Sequence, residues 1–245
     1  MKKLIFLAAL PLLFAGCDIL SSIASTATSV IPTEAEVAAG LKEALVKGVS
    51  TGTNKLNQPN AFFADAAKKI LLPPEVRNIE SEIRNSVILN ALIGNQLDKC
   101  VKAMNEGAEN AMGKALPIFK NAVTSMTIND AMGILKGGRG SATDYLENTT
   151  TSALHTAFKP DIKNALETVG ALDYWNPIVT NVNRYKSLVG LTDDINPDLN
   201  QYVTEKATLG LFSEIRDQEN AIRDNPVERT SALLKKVFDY ADASK

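Results

Sequence analysis

The spacing of apolar residues is the feature that most narrows what this chain can fold into. From Thr33 to Phe238 they recur at three- and four-residue steps, the period of an α-helix, and no window alternates at the two-residue period of a half-buried strand. Leu97, Val101, Met104, Ala108, Ala111 and Ala115 advance by four, three, four, three and four residues. That is a heptad seam, and its alanines let a neighbouring helix approach closely. Leu199, Val203, Ala207, Leu211 and Ile215 repeat at four-residue steps, and Val37, Leu41, Ala44, Leu45 and Val49 share another face. The expected fold is all-α: a single multi-helix, bundle-like domain over residues 33–245, with about nine or ten helices.

Local signals divide this pattern. Thr33 and Glu36 form a capping-box pair before the first helix. Asn57-Gln58-Pro59-Asn60 ends it, and Phe62 and Phe63 are expected to plug the core from the loop that follows. Pro73-Pro74 opens a helix with the stripe Val76, Ile79, Ile83 and Val87, and Gly94-Asn95 is expected to interrupt before the seam begins. Pro117 kinks or restarts the next helix. Thr127 to Asp130 caps a short helix ended by Gly137-Gly138, and Ser141 to Asp144 caps one that Pro160 ends or bends. Gly170 stops the next. Asn176-Pro177, Asn196-Pro197 and Asn225-Pro226 each read as an N-cap followed by proline in the first turn. The last helix turns Leu233, Leu234, Val237 and Phe238 inward.

The N-terminus carries an address. Lys2-Lys3 is basic, Leu4 to Phe14 is apolar apart from Pro11, and Ala15-Gly16 places small residues before Cys17. The run is too short for a spanning helix, which needs about 20 apolar residues, and reads as a secretory signal over residues 1–16. Phe14-Ala15-Gly16-Cys17 resembles the lipobox of bacterial lipoproteins, with Phe14 in place of the usual leucine. That resemblance implies acylation of Cys17, a membrane partner held through that lipid, and a periplasm-facing position in the bacterial cell envelope. Residues 17–32, rich in Ser, Thr and Ala, form the expected tether. Asp18 resembles an inner-membrane retention signal, a rule that varies between bacterial groups and leaves inner and outer membrane both open.

Charge narrows the partners. Cleavage before Cys17 removes two of the 26 basic residues and none of the 28 acidic ones, so the remaining chain is mildly acidic. Nucleic acid needs a concentrated basic surface and is excluded as a partner. The two cysteines are Cys17 and Cys100. With Cys17 acylated no internal disulfide forms, and Cys100 reads as a packed core thiol.

A further resemblance rests on longer stretches: Met126 to Leu135, Ser141 to Leu146, Phe158 to Ile162, and Asn196 to Leu199 through Gly210 to Phe212. Together these resemble an uncharacterised family of exported bacterial helical proteins catalogued as a domain of unknown function. The resemblance runs from about Glu34 to Phe238 and implies an all-helical envelope domain without an activity or catalytic residue to transfer.

Several constellations merit weighing. Lys136-Gly137-Gly138-Arg139-Gly140-Ser141 places glycines before a helix start, where backbone N–H groups and Arg139 can meet an anion. Arg139, Ser141, Thr143 and Tyr145 are the candidate contacts for an anion or ligand, against the plainer reading of a helix stop, a turn and a new start. It is not a phosphate loop, because the spacing of that motif is absent. Asp194, Asn196, Asp198 and Glu205 match the first, third, fifth and twelfth positions of a calcium loop. Leu199 replaces the glycine that loop requires and Pro197 is placed to begin a helix, so capping and solvated acids are expected, with no metal or other cofactor. His155, the only histidine, reads as a surface or half-buried helix residue, Tyr174 and Trp175 as core anchors beside a loop, and Glu80 and Glu82 as a polar face.

The function expected from these readings is that of a lipid-anchored envelope protein, non-enzymatic, whose helical domain binds an apolar small molecule or an envelope protein. One alternative is a hydrolase acting on peptidoglycan or lipid, with Asp130 and Asp144 converging near Tyr145. Another is a structural assembly subunit.

Overall fold

A computed structural model describes residues 31–195 and 197–244. The signal segment, Cys17 and the tether through Val30 lie outside the described residues, as does Asn196 of the calcium-like pattern. No strand occurs among the described residues, and the fold is all-α. The helices are α1 (Glu34–Leu56), α2 (Pro74–Arg77), α3 (Glu80–Asn85), α4 (Val87–Ala111), α5 (Ala115–Ser125), α6 (Ile128–Gly137), α7 (Ser141–Thr168), α8 (Ala171–Arg184), α9 (Leu199–Asp224) and α10 (Ala232–Ala243).

Two of the starts follow from local chemistry alone. Thr33 Oγ1 accepts from the Glu36 N–H at 3.2 Å while the Glu36 carboxylate accepts from the Thr33 N–H at 2.8 Å. Thr127 and Asp130 repeat that reciprocal pair at 3.1 and 2.9 Å. Each box satisfies donors that a helix N-terminus would otherwise leave bare.

Packing runs in a chain of neighbours. α8 lies on α4, α4 on α7, α7 on α9, α9 on α1 and α1 on α10, while α5 and α6 each touch both α1 and α7. The predicted faces meet here: Val37, Leu41, Val49, Leu97, Met104, Ala108, Ala115, Val203, Leu211 and Ile215 are all buried. Residues from Pro32 onward form one compact unit, and no helix of the described residues is long and apolar enough to cross a membrane.

Several expected boundaries move. α7 continues through Pro160 and α8 through Pro177, so neither proline ends or begins a helix; the αL residue Gly170 separates the two. Phe158 and Ile162 flank Pro160 and are fully buried, as Trp175 and Ile178 are around Pro177, so packing on both sides outweighs one missing N–H each. Gly94 likewise lies inside α4 between the buried Ile93 and Leu97, where burial exceeds the ~1 kcal/mol that a helical glycine costs. The helix predicted after Pro73 divides twice, after Arg77 and at Ser86, which caps α4 by accepting from the Leu89 N–H at 3.3 Å. Val87 therefore leaves its expected stripe and is exposed. α9 starts two residues later than expected, capped by Asp198 through the Gln201 N–H at 3.0 Å. Asn225 caps only the short 3-10 turn Pro226–Glu228, and α10 is capped by Ser231.

Candidate functional site

The glycine-rich loop between α6 and α7 is organised by two residues of α9 that sequence reasoning did not single out. Glu219 Oε1 accepts from the Ala142 N–H at 3.0 Å, and its Oε2 accepts from the Thr143 N–H and hydroxyl, each at 2.8 Å. Arg223 donates to Glu219 at 2.8 Å, and to the Ile134 carbonyl and the Ser141 hydroxyl oxygen at 3.0 Å each. One carboxylate thus faces the positive start of α7 and one guanidinium the negative end of α6, matching both helix dipoles. The anion at this helix start is the chain's own.

The four candidate contacts are divided accordingly. Ser141 donates to the Ile134 and Gly138 carbonyls at 2.7 Å, and Thr143 is fully buried on Glu219. Arg139 turns outward to an ion pair with Asp224. Tyr145 packs half-buried against the core; burial, and then the charge of Asp130, raise its phenol above the ordinary value. Gly140 is the N-cap at φ +79°, a conformation disfavoured for any residue with a Cβ, and a Cβ there would lie 2.2 Å from Arg216 Nη1.

The carboxylates of the hydrolase alternative each have a partner. Asp130 closes the Thr127 capping box, and hydrogen bonds from the Thr127 hydroxyl and N–H hold its pKa below the usual range. Asp144 pairs with Arg216 at 2.7 Å. Asp194 pairs with Lys186, Asp198 caps α9, and Glu205 lies within that helix. No group of three or more His, Cys, Asp or Glu side chains that could hold a metal occurs among the described residues. Glu80 pairs with Arg84. His155 is half-buried on α7, and Trp175 is buried within α8 instead of beside a loop. Cys100 is fully buried, and that burial pushes its thiol up to about 12.

The irregular feature of the fold is the strap formed by residues 57–73 between α1 and α2. Its backbone is fastened by side chains of α4. Glu109 accepts from the N–H groups of Asn60 and Phe62 at 3.0 Å, and Asn105 accepts from the Ile70 N–H while donating to the Ile70 carbonyl, both at 2.8 Å. Phe62 inserts fully into the core against α9, where a Cβ on Gly210 would lie 2.5 Å from its ring. Phe63, expected to join it, remains half-buried beneath Lys69, whose Nζ is 3.9 Å from the ring centroid. Lys68 points inward to Asp65 at 2.9 Å, Glu214 at 3.1 Å and Asp217 at 3.2 Å. Burial alone would lower its pKa, but these three carboxylates raise it instead.

Clefts border the strap. One of about 260 Å³ lies against α9, between the strap and Tyr202, Lys206, Leu209 and Ser213. Others of about 250 and 240 Å³ lie against α4 on either side of Phe63. By contrast, the apolar gap enclosed by α1, α7, α9 and α10 is only about 20 Å³, the room of roughly one water. The signal that could have revealed the strap anchors was Asn105 and Glu109, polar residues four apart and each directly after a seam residue.

Over residues 32–239 the chain matches the family described as "Protein of unknown function (DUF4197)". No curated protein and no solved structure matches it.

Proposed function

We propose that this chain, which belongs to the DUF4197 family of proteins of unknown function, is a non-enzymatic lipoprotein of the bacterial cell envelope that binds along its strap. The observation that carries the reading is the strap itself. Loops of this length without secondary structure of their own are uncommon in compact domains and are usually functional. This one is held by buried polar anchors and bordered by clefts of about 240–260 Å³. Its occupant is a small molecule with an apolar part or an envelope protein, which meets the exposed Leu71 and Leu209 at the surface. A binding role is supported by the capping and ion-pair duties of Asp130 and Asp144, the carboxylates named for the hydrolase alternative.

Anchoring rests on Cys17, and Cys17→Ser is expected to release the chain from membranes on fractionation. Binding is tested by native mass spectrometry of the full chain from its own host's membranes. A reproducible extra mass that Leu71→Trp removes supports the strap site. A bare chain, or a mass unaffected by that substitution, would overturn it.

A further inference from the structure

The cleft against α9 has a charge pattern that the rest of the strap lacks. Eleven residues line it, and none is acidic. Its cations are Lys68, Lys69, Arg77 and Lys206. Lys68 is more than balanced by Asp65, Glu214 and Asp217 and adds no net positive charge. The other three have no carboxylate partner among the described residues. Lys69 lies over the Phe63 ring, Lys206 lies 5.7 Å from the Tyr202 ring centroid, and Arg77 is exposed at the end of α2. Of the nearby acids, Glu80 and Asp98 both pair with Arg84, while Glu75 makes no ion pair among the described residues and acts on the Tyr202 phenol against Arg77.

The neutral lining is equally specific. The Tyr202 hydroxyl donates to the Leu71 and Leu72 carbonyls at 2.9 and 3.2 Å, which fixes the ring as a wall and leaves its face to Lys206. Ser213 is half-buried in the cleft, and its hydroxyl makes no hydrogen bond within the described residues. Leu71 and Leu209 are exposed at the same cleft. Three cations supplied by three separate elements, one free hydroxyl and an apolar rim line one space, with Lys69 and Arg77 also bordering the neighbouring cleft against α4.

We infer that this cleft binds the phosphate group of a phosphate ester that also carries a hydrocarbon part, an inference that rests on the strap-binding reading above. A phosphate monoester brings about −1.5 to −2 charges and three acceptor oxygens, which matches three cations better than a carboxylate does. The Arg77 fork suits two of those oxygens, and Lys69 and Lys206 act as point charges on either side. A space of about 260 Å³ falls just below the range of drug-sized pockets, so it admits a headgroup and leaves the hydrocarbon against Leu71 and Leu209. The phosphate is that of a lipid headgroup or of a soluble ester, and the site recognises the group they share.

The test uses the full chain carrying Cys17→Ser, so that the lipid anchor does not itself bind membrane. Glycerol 3-phosphate is followed by calorimetry and, without detergent, vesicles of phosphatidic acid in phosphatidylcholine by flotation, scored as the excess over phosphatidylcholine alone. The variants are Arg77→Gln, Lys206→Gln and the double variant. Both residues are exposed and unpaired, so the fold should persist, as circular dichroism would check; Lys163→Gln serves as a charge-matched control elsewhere. Binding should fall about tenfold for each charge lost and not at all in the control. If the vesicles alone bind in this way, the source is a lipid; if the ester alone does, it is a soluble metabolite. Failure of the chain carrying Cys17→Ser alone to bind any of these probes, or undiminished binding by the double variant, overturns the phosphate assignment. If a mass sensitive to Leu71→Trp then persists in native spectra, only this inference falls. If none persists, the strap reading falls with it.

Discussion

Removing the Glu219 carboxylate should be among the costliest single changes available in this fold. The Glu219 and Arg223 side chains are 6% and 8% exposed and 2.8 Å apart. In Glu219→Ala, Arg223 keeps as hydrogen-bond partners only the Ile134 carbonyl and the Ser141 hydroxyl oxygen, beside the Phe238 ring, and the N–H groups of Ala142 and Thr143 lose their acceptor. Breaking a buried pair from one side costs about 3–5 kcal/mol, and each stranded N–H about 1–3. These terms overlap, so the expected loss is about 4 kcal/mol, a large part of the roughly 5–15 kcal/mol that stabilises a typical domain. Urea unfolding with an unchanged slope measures it. Glu219→Ala combined with Arg223→Met removes both charges and should be more stable than Glu219→Ala alone, because no bare cation remains. A single-variant loss under about 1.5 kcal/mol, or a double variant less stable than the single, refutes the pairing argument.

Other outcomes follow from the same geometry. Phe62→Ala should cost about 3–5 kcal/mol in the same unfolding assay, because the ring fills the core beneath the strap. Pro160→Ala should raise stability by about 2 kcal/mol, the difference between a ~3 kcal/mol helix penalty and the entropy that proline removes from the unfolded chain, read as a higher Tm. Cys100, with its thiol pushed up to about 12 by burial, should resist a thiol reagent in the native chain and react only on unfolding. Glu36 is held at about 2, below the ordinary 4.5, first by the hydrogen bond from Lys236 and then by the Thr33 N–H. Its contribution to stability is complete above about 4.5 and is lost as pH falls through about 2. An NMR titration should find that midpoint, and Lys236→Gln should move it upward.

What could be read in the sequence was local. The Thr33–Glu36 and Thr127–Asp130 boxes involve residues three apart, and the seams repeat within one helix, so both were visible before the fold was known. Prolines 160 and 177 do not end their helices because a proline's effect depends on its neighbours: Phe158, Ile162, Trp175 and Ile178 are buried in the core and hold the helix together across the breaker. The site was hidden for a related reason. Glu219 reaches Thr143 across 76 positions, and Glu109 reaches Phe62 across 47. An acid on a helix face looks the same in sequence whether it meets water or a strap. The glycine loop read as a plain helix stop and restart or as an anion contact, and nothing nearby showed that α9 would place a carboxylate there.

The way the strap is fastened has a bearing on how such chains can change length. Its path is set by Asn105 and Glu109, one helical turn apart, acting as two pegs on a single rod. A residue inserted in α4 between Cys100 and Asn105 would rotate both pegs by about 100° relative to the preceding stretch and drop the strap altogether. A residue added at the exposed Ala66 or Ala67, between the pegged segments, would leave both pegs in place and disturb only the turn from Asp65 to Lys68. Insertions and deletions in relatives should therefore gather in the strap between its fastenings and avoid that part of α4.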